Sequence, residues 1–147
     1  MAHGENAGTV AIQMGLSGPA GEADILALSA YESGWGSGYF VQPQGQYTGN
    51  AYFNLETTKS SKNPNPALFP YSTGWKPARG NPNVLVAQYS SYFASTESFA
   101  AVYGNLFSGN TDPLTFGTTA HQNGFGINPT TFASIANVLL NCLTGGN

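Results

Sequence analysis

Charge is what this sequence has least of. Charged side chains make up 7% of its 147 residues, against roughly 25% in an average globular protein. So few ions can signal disorder, but aromatic residues reach 13%, and disordered chains are usually poor in them. Hydrophobic residues make up 41%, enough to build a core at this length. The surface must then be Asn, Gln, Ser, Thr, Tyr and Gly. Such a surface suits a neutral polar polymer, such as a glycan, better than a polyanion.

Positive charge is scarcer still. Lys59, Lys62, Lys76 and Arg79 are the only cations in a chain of net charge −3. Nucleic-acid binding needs a basic patch to neutralise phosphates, and a solvated loop explains these four better. Cys142 is the single cysteine, which excludes an internal disulfide and a multi-cysteine zinc site. His3 and His121 lie far apart with no ligand spacing around either, so no metal or other cofactor is expected. Apolar runs are too short to span a bilayer; Val138–Leu140 is flanked by Asn137 and Asn141. No basic segment followed by an apolar stretch opens the chain, so no secretory signal is visible. We expect one domain over 1–147, a module of a larger protein or one exported by a route that needs no such signal.

The pattern predicts helices at both ends and a different middle. A first helix is expected over Ala7–Leu16, stopping at Ser17-Gly18-Pro19, and a second over Glu22–Ser33, with Gly34 as its stop. Residues 36–83 are rich in Gly, Asn, Pro, Gln and Tyr, which argues against helix. Strands are expected at Ala51–Thr57 and Val84–Tyr92, in a small antiparallel lobe with a long excursion between them. A third helix is expected over Glu97–Phe107, with Phe99, Val102, Tyr103 and Leu106 on one face. Asp112-Pro113 and Asn128-Pro129 each read as an N-cap followed by proline at the first helical position. Gly124 ends the first of these helices. Phe132, Ile135, Ala136, Leu139 and Leu143 form the core stripe of the second.

Seven acidic side chains can be judged one at a time. Glu5 falls in a tail. Glu22, Asp24 and Glu97 read as carboxylates that complement the positive end of a helix, and Asp112 as a cap. Glu32 has no such explanation. It follows Ile25 by seven residues and Leu28 by four, so it projects from the apolar face of its helix. Burial and the negative helix end both favour its neutral form, as a general acid requires. A buried carboxylate satisfied by tyrosine and backbone donors is the competing reading. Glu56, in the expected strand, is the only carboxylate between Glu32 and Glu97. It is either an exposed strand residue or a second catalytic group. Tyr47, Tyr52, Tyr71, Trp75, Tyr89 and Tyr92 can line a sugar cleft, since flat rings with polar edges both stack and hydrogen-bond; ordinary packing is the alternative for each. Trp35 reads as core.

The segment Ala27-Leu28-Ser29-Ala30-Tyr31-Glu32-Ser33-Gly34-Trp35-Gly36-Ser37-Gly38 resembles the signature of glucosaminidase-type peptidoglycan hydrolases, glycoside hydrolase family 73. There an Ala-rich helix ends in Glu-Ser-Gly-Trp-Gly, and its Glu is the general acid, which maps onto Glu32. Asn54-Leu55 is similar to that family's Asn-Leu-Phe-Gly. Tyr92-Phe93-Ala94-Ser95-Thr96-Glu97-Ser98-Phe99 is similar to its strand-to-helix turn. Gly124-Phe125-Gly126-Ile127-Asn128-Pro129, with Phe132-Ala133, is similar to its C-terminal Gly-Tyr-Ala-Thr-Asp-Pro and Tyr-Ala. Glu56 stands where the family has Phe, so no acid carries over to it. Phe125 and Phe132 replace late tyrosines, and this chain is acidic where the family is often basic.

The resemblance implies an α+β, lysozyme-like fold: mainly helical, with a small antiparallel β lobe flanking a cleft. It implies hydrolysis of the β-1,4 bond between N-acetylglucosamine and N-acetylmuramic acid, with Glu32 as acid and Glu56, or a held water, at the anomeric carbon. Asn54, Tyr52, Trp75, Tyr89 and Tyr92 would bind the glycan strand. A muramidase or lytic transglycosylase is the alternative enzyme, and a non-catalytic glycan-binding module the alternative of another class. Such domains occur in autolysins, flagellar assembly proteins, phage enzymes and effectors of type VI secretion systems. The missing signal and low charge favour the last. That context implies action in the periplasm or cell wall, delivery by a secretion machine and a cognate immunity protein.

Overall fold

Asp112 and Asn128 set the frame of the C-terminal third. Each takes an extended backbone, and each side chain accepts a hydrogen bond from the amide three residues on, Thr115 at 2.9 Å and Thr131 at 3.0 Å. The prolines that follow lack an N–H that the first helical turn would leave unpaired anyway. A computed structural model of the chain describes residues 2–16, 18–33, 35, 69–78 and 81–146. These form helices α1 (Ala2–Gln13), α2 (Gly18–Ser33), α3 (Tyr92–Phe107), α4 (Pro113–Gln122) and α5 (Pro129–Leu143). Two strands, β1 (Ser72–Ala78) and β2 (Asn81–Tyr89), stand between α2 and α3. The fold is α+β: mostly helical, with a small antiparallel sheet. Among the described residues no helix is long and apolar enough to cross a membrane.

The chain divides into two compact units, Met1–Tyr31 with Tyr103–Asn147, and Glu32–Val102. The first is built on a column of phenylalanines. Phe107 and Phe116 stack at 4.2 Å, and Phe116 and Phe132 at 5.6 Å. All three are fully buried, so α3, α4 and α5 each contribute one ring to a dry core. Gly117 lets α5 come close: a Cβ there would lie 2.8 Å from the Phe132 ring. Val10, Leu16, Ile25 and Leu28 complete this core from the N-terminal side.

Helix α1 ends earlier than the sequence suggests. Gly15 takes a left-handed backbone, its amide donates to the Ile12 carbonyl, and the Leu16 amide donates to Ala11. This crossed pair of bonds is a Schellman cap, so Leu16 is a buried residue beyond the helix rather than its last turn. Helix α4 closes in the same manner at Gly124. Of the expected stripe on α5, Phe132 and Ala136 are buried, Ile135 and Leu139 are partly covered, and Leu143 is 40% exposed.

The second unit adds a strand to those expected. The partner of β2 is β1, which lies inside the expected excursion; pairs run from Ser72↔Tyr89 to Lys76↔Val86 and Pro77↔Leu85. Pro77 lies in β1 and Pro82 in β2. Among the described residues the sheet has these two strands, so both are edges, where proline is tolerated. Register breaks fall at Ser72/Gly74 and Pro77/Ala78. The expected strand Ala51–Thr57 lies outside the described residues. Helix α3 begins at Tyr92, not Glu97: Ser91 caps it, its hydroxyl accepting from the Ala94 amide at 3.1 Å. Glu97 therefore lies beyond the first turn. The inward face of α3 also differs, with Thr96, Phe99 and Phe107 fully buried while Val102 and Leu106 are exposed.

Candidate functional site

Helix α2 carries the candidate acid. Gly18-Pro19 starts it four residues before the expected Glu22, so neither Glu22 nor Asp24 lies in its first turn. Ala23, Asp24, Ile25, Ala27 and Leu28 are all at 0% exposure, and Ser29 and Ser33 are covered as well. A helix buried nearly all round cannot show a clean apolar stripe. Small residues, Ala and Ser, let neighbours approach on every side. Glu32 stands in the last turn, partly buried, just before the helix stops.

Asp24 overturns its first reading. It is not a dipole partner at a helix start but a fully covered carboxyl whose two oxygens have no hydrogen-bond partner among the described residues. Burial, and then the negative charge of Asp112, push its pKa up to about 8. The neutral form is therefore the one that the fold accepts at neutral pH. Asp112 goes the other way: its carboxylate accepts from the Thr115 hydroxyl at 2.6 Å and from the Thr115 amide, and both bonds lower its pKa. The sequence offered no sign of Asp24's burial, because carboxylates near a helix start are ordinary surface residues.

Trp35 is a second correction. Expected in the core, it is 67% exposed and holds a left-handed backbone at φ 58°. Trp75 is partly buried on β1 and meets Phe69 edge-on at 5.4 Å. Tyr89 is 3% exposed, and its hydroxyl donates to Ser98 Oγ at 3.0 Å; stacking on a sugar would require this ring to be uncovered. Tyr92 is the first residue of α3 rather than the end of a strand. Glu56, Asn54, Tyr52 and Tyr47 lie outside the described residues. Glu32, Trp75, Tyr89 and Tyr92 all belong to the unit Glu32–Val102. Among the described residues no group of three or more His, Cys, Asp or Glu side chains is placed to hold a metal ion.

No protein-family model matches the chain, and no curated protein matches it. Among solved structures it resembles a chain of a type VI secretion system effector–immunity complex from Pseudomonas protegens. The TM-score is 0.72 at 21% identity, over 98% of this chain and 89% of that one. At this identity the likeness establishes a shared fold.

Proposed function

We propose that this chain, which shares its fold with a member of a type VI effector–immunity complex, is the wall-cutting module of such an effector. The observation that carries the proposal is Glu32. It is a partly buried carboxyl in the last turn of α2, set in the segment that resembles the glucosaminidase signature. Glu32 would protonate the oxygen leaving the anomeric carbon of a β-1,4 bond in peptidoglycan. A second carboxylate, or a positioned water, would complete hydrolysis at that carbon. The substrate would be the glycan strand between N-acetylglucosamine and N-acetylmuramic acid. The site of action would be the periplasm or wall, and a cognate immunity protein would be the partner.

The match to a two-component complex favours one second reading, that this chain is the immunity member. Sacculi separate the two. Purified sacculi are treated with wild type and with Glu32→Gln, folding being checked by circular dichroism. Clearing by wild type but not by the folded variant upholds the cutting reading. Clearing by both removes Glu32 from the role of acid. A chain that clears nothing, yet protects cells from a toxic partner, is an immunity protein. Where wild type clears the wall, the masses of the products separate glucosaminidase, muramidase and transglycosylase.

A further inference from the structure

Two side chains in the second unit depart from ordinary behaviour twice over. Trp35 (φ 58°) and Tyr71 (φ 69°) are the non-glycine residues with positive φ among those described. In that region Cβ crowds the backbone carbonyl, and bulky residues rarely enter it. Both side chains are also exposed, Trp35 at 67% and Tyr71 at 57%. The exposed aliphatic residues, such as Ile12 and Val138, have ordinary backbones. Among the described residues, a left-handed backbone and an uncovered aromatic ring coincide at these two positions. At Tyr71 the backbone belongs to a turn that the Ser72 amide closes on the Phe69 carbonyl, but neither exposed ring is taken up by the core, so both are free to meet a ligand.

The ligand chemistry follows from what surrounds them. A flat ring with an open face takes the C–H face of a sugar or the face of a base. Bases arrive with phosphates, and this chain has only 4 cations to meet them. An uncharged pyranose fits a surface built from Asn, Ser, Thr and Gly. Trp35 also follows the candidate acid Glu32 by three residues. We propose that Trp35 and Tyr71 are two separate stacking platforms for the sugar rings of a glycan strand, a proposal that rests on the glycan-cutting reading of this unit.

The test exploits the strained backbone. Glycine is at ease at φ 58°, so Trp35→Gly relieves strain while removing the platform. In the Glu32→Gln chain, which is made so that the polymer is not consumed, co-sedimentation with purified sacculi is measured. Trp35→Gly should raise the half-saturating sacculus concentration about tenfold, and Tyr71→Gly several-fold. The melting temperature should be unchanged or higher, and Trp35→Phe should restore most of the binding. Chitotetraose should shift the tryptophan emission of the parent and leave that of Trp35→Gly unshifted. Parental binding by Trp35→Gly overturns the proposal. A fall in melting temperature in Trp35→Gly that Trp35→Phe reverses also overturns it, since the ring would then be a structural support. Clearing by the chain with Glu32 intact is scored separately. If that chain clears the wall and Trp35→Gly binds like its parent, only the platform fails. If it clears nothing but Trp35→Gly still loses sacculi, the cutting reading fails and the platform stands.

Discussion

In the first unit the uncompensated cost lies inside. Asp24 is wholly covered and neither oxygen has a partner among the described residues, in a unit where phenylalanines stack and helix ends are closed by caps. In the second unit the cost lies at the surface, where Trp35 and Tyr71 hold left-handed backbones with their rings uncovered. An internal cost is felt by folding and varies with pH. A surface cost of this kind does not vary with pH, and an exposed ring is felt by whatever binds it. The two halves of this small protein thus answer to different measurements, and experiments that separate stability from binding will separate the halves.

The largest effect belongs to the second unit. Glu32→Gln should lower sacculus clearing by about two to four orders of magnitude, the usual worth of a general acid, with little change in the urea midpoint. A comparable fall in stability would return Glu32 to the role of a structural carboxyl. In the first unit the largest effect should come from Phe116, the middle ring of the column. Phe116→Ala should cost about 3–5 kcal/mol in equilibrium unfolding followed by circular dichroism. A loss below about 1 kcal/mol would mean that the stack is not the centre of the core.

The pH dependence of folding should isolate Asp24. An unfolded aspartate releases its proton near pH 4, while the folded one keeps it up to about pH 8. Over that window the unfolded state binds fewer protons, so stability falls as pH rises. The contribution is fully present in acid and lost by about pH 8, a change on the order of a few kcal/mol. Asp24→Asn should flatten the slope of urea midpoint against pH by up to one proton. An unchanged slope would mean that Asp24 finds a partner in solution.

The smallest effect should come from the helix cap. Asp112→Ala removes two hydrogen bonds to Thr115 and should cost about 1 kcal/mol, read as a drop of a few degrees in melting temperature. It also removes a negative charge that raises the pKa of Asp24. The pH at which stability levels off should therefore move down. If it stays put, burial alone accounts for Asp24.

Caps and periodicity were legible in the sequence because they are local. Asp112-Pro113 and Asn128-Pro129 begin helices as expected, and Phe99, Phe132 and Ala136 are buried. What failed was non-local. Strand β1 is decided by its pairing with β2, and nothing local in its sequence showed it. The start of α3 lay in Ser91, overlooked because the apolar pattern begins later. Burial of Asp24 and exposure of Trp35 both reverse what their residue types suggest. Neither can be seen until neighbours from elsewhere in the chain are in place. For Glu32 only the position was legible, in the last turn of α2; its role as an acid is a proposal that rests on the resemblance of the segment around it.

The ribbon of β1 and β2 has a consequence for life at high concentration. Among the described residues it has two strands and so two rims of backbone, each a template on which another molecule could lay a strand of its own. Pro77 and Pro82 have no N–H to offer such a visitor, and the register breaks beside Ser72 and Pro77 bend the rim away from straight. The two prolines and the two register breaks keep crowded copies from zipping together edge to edge.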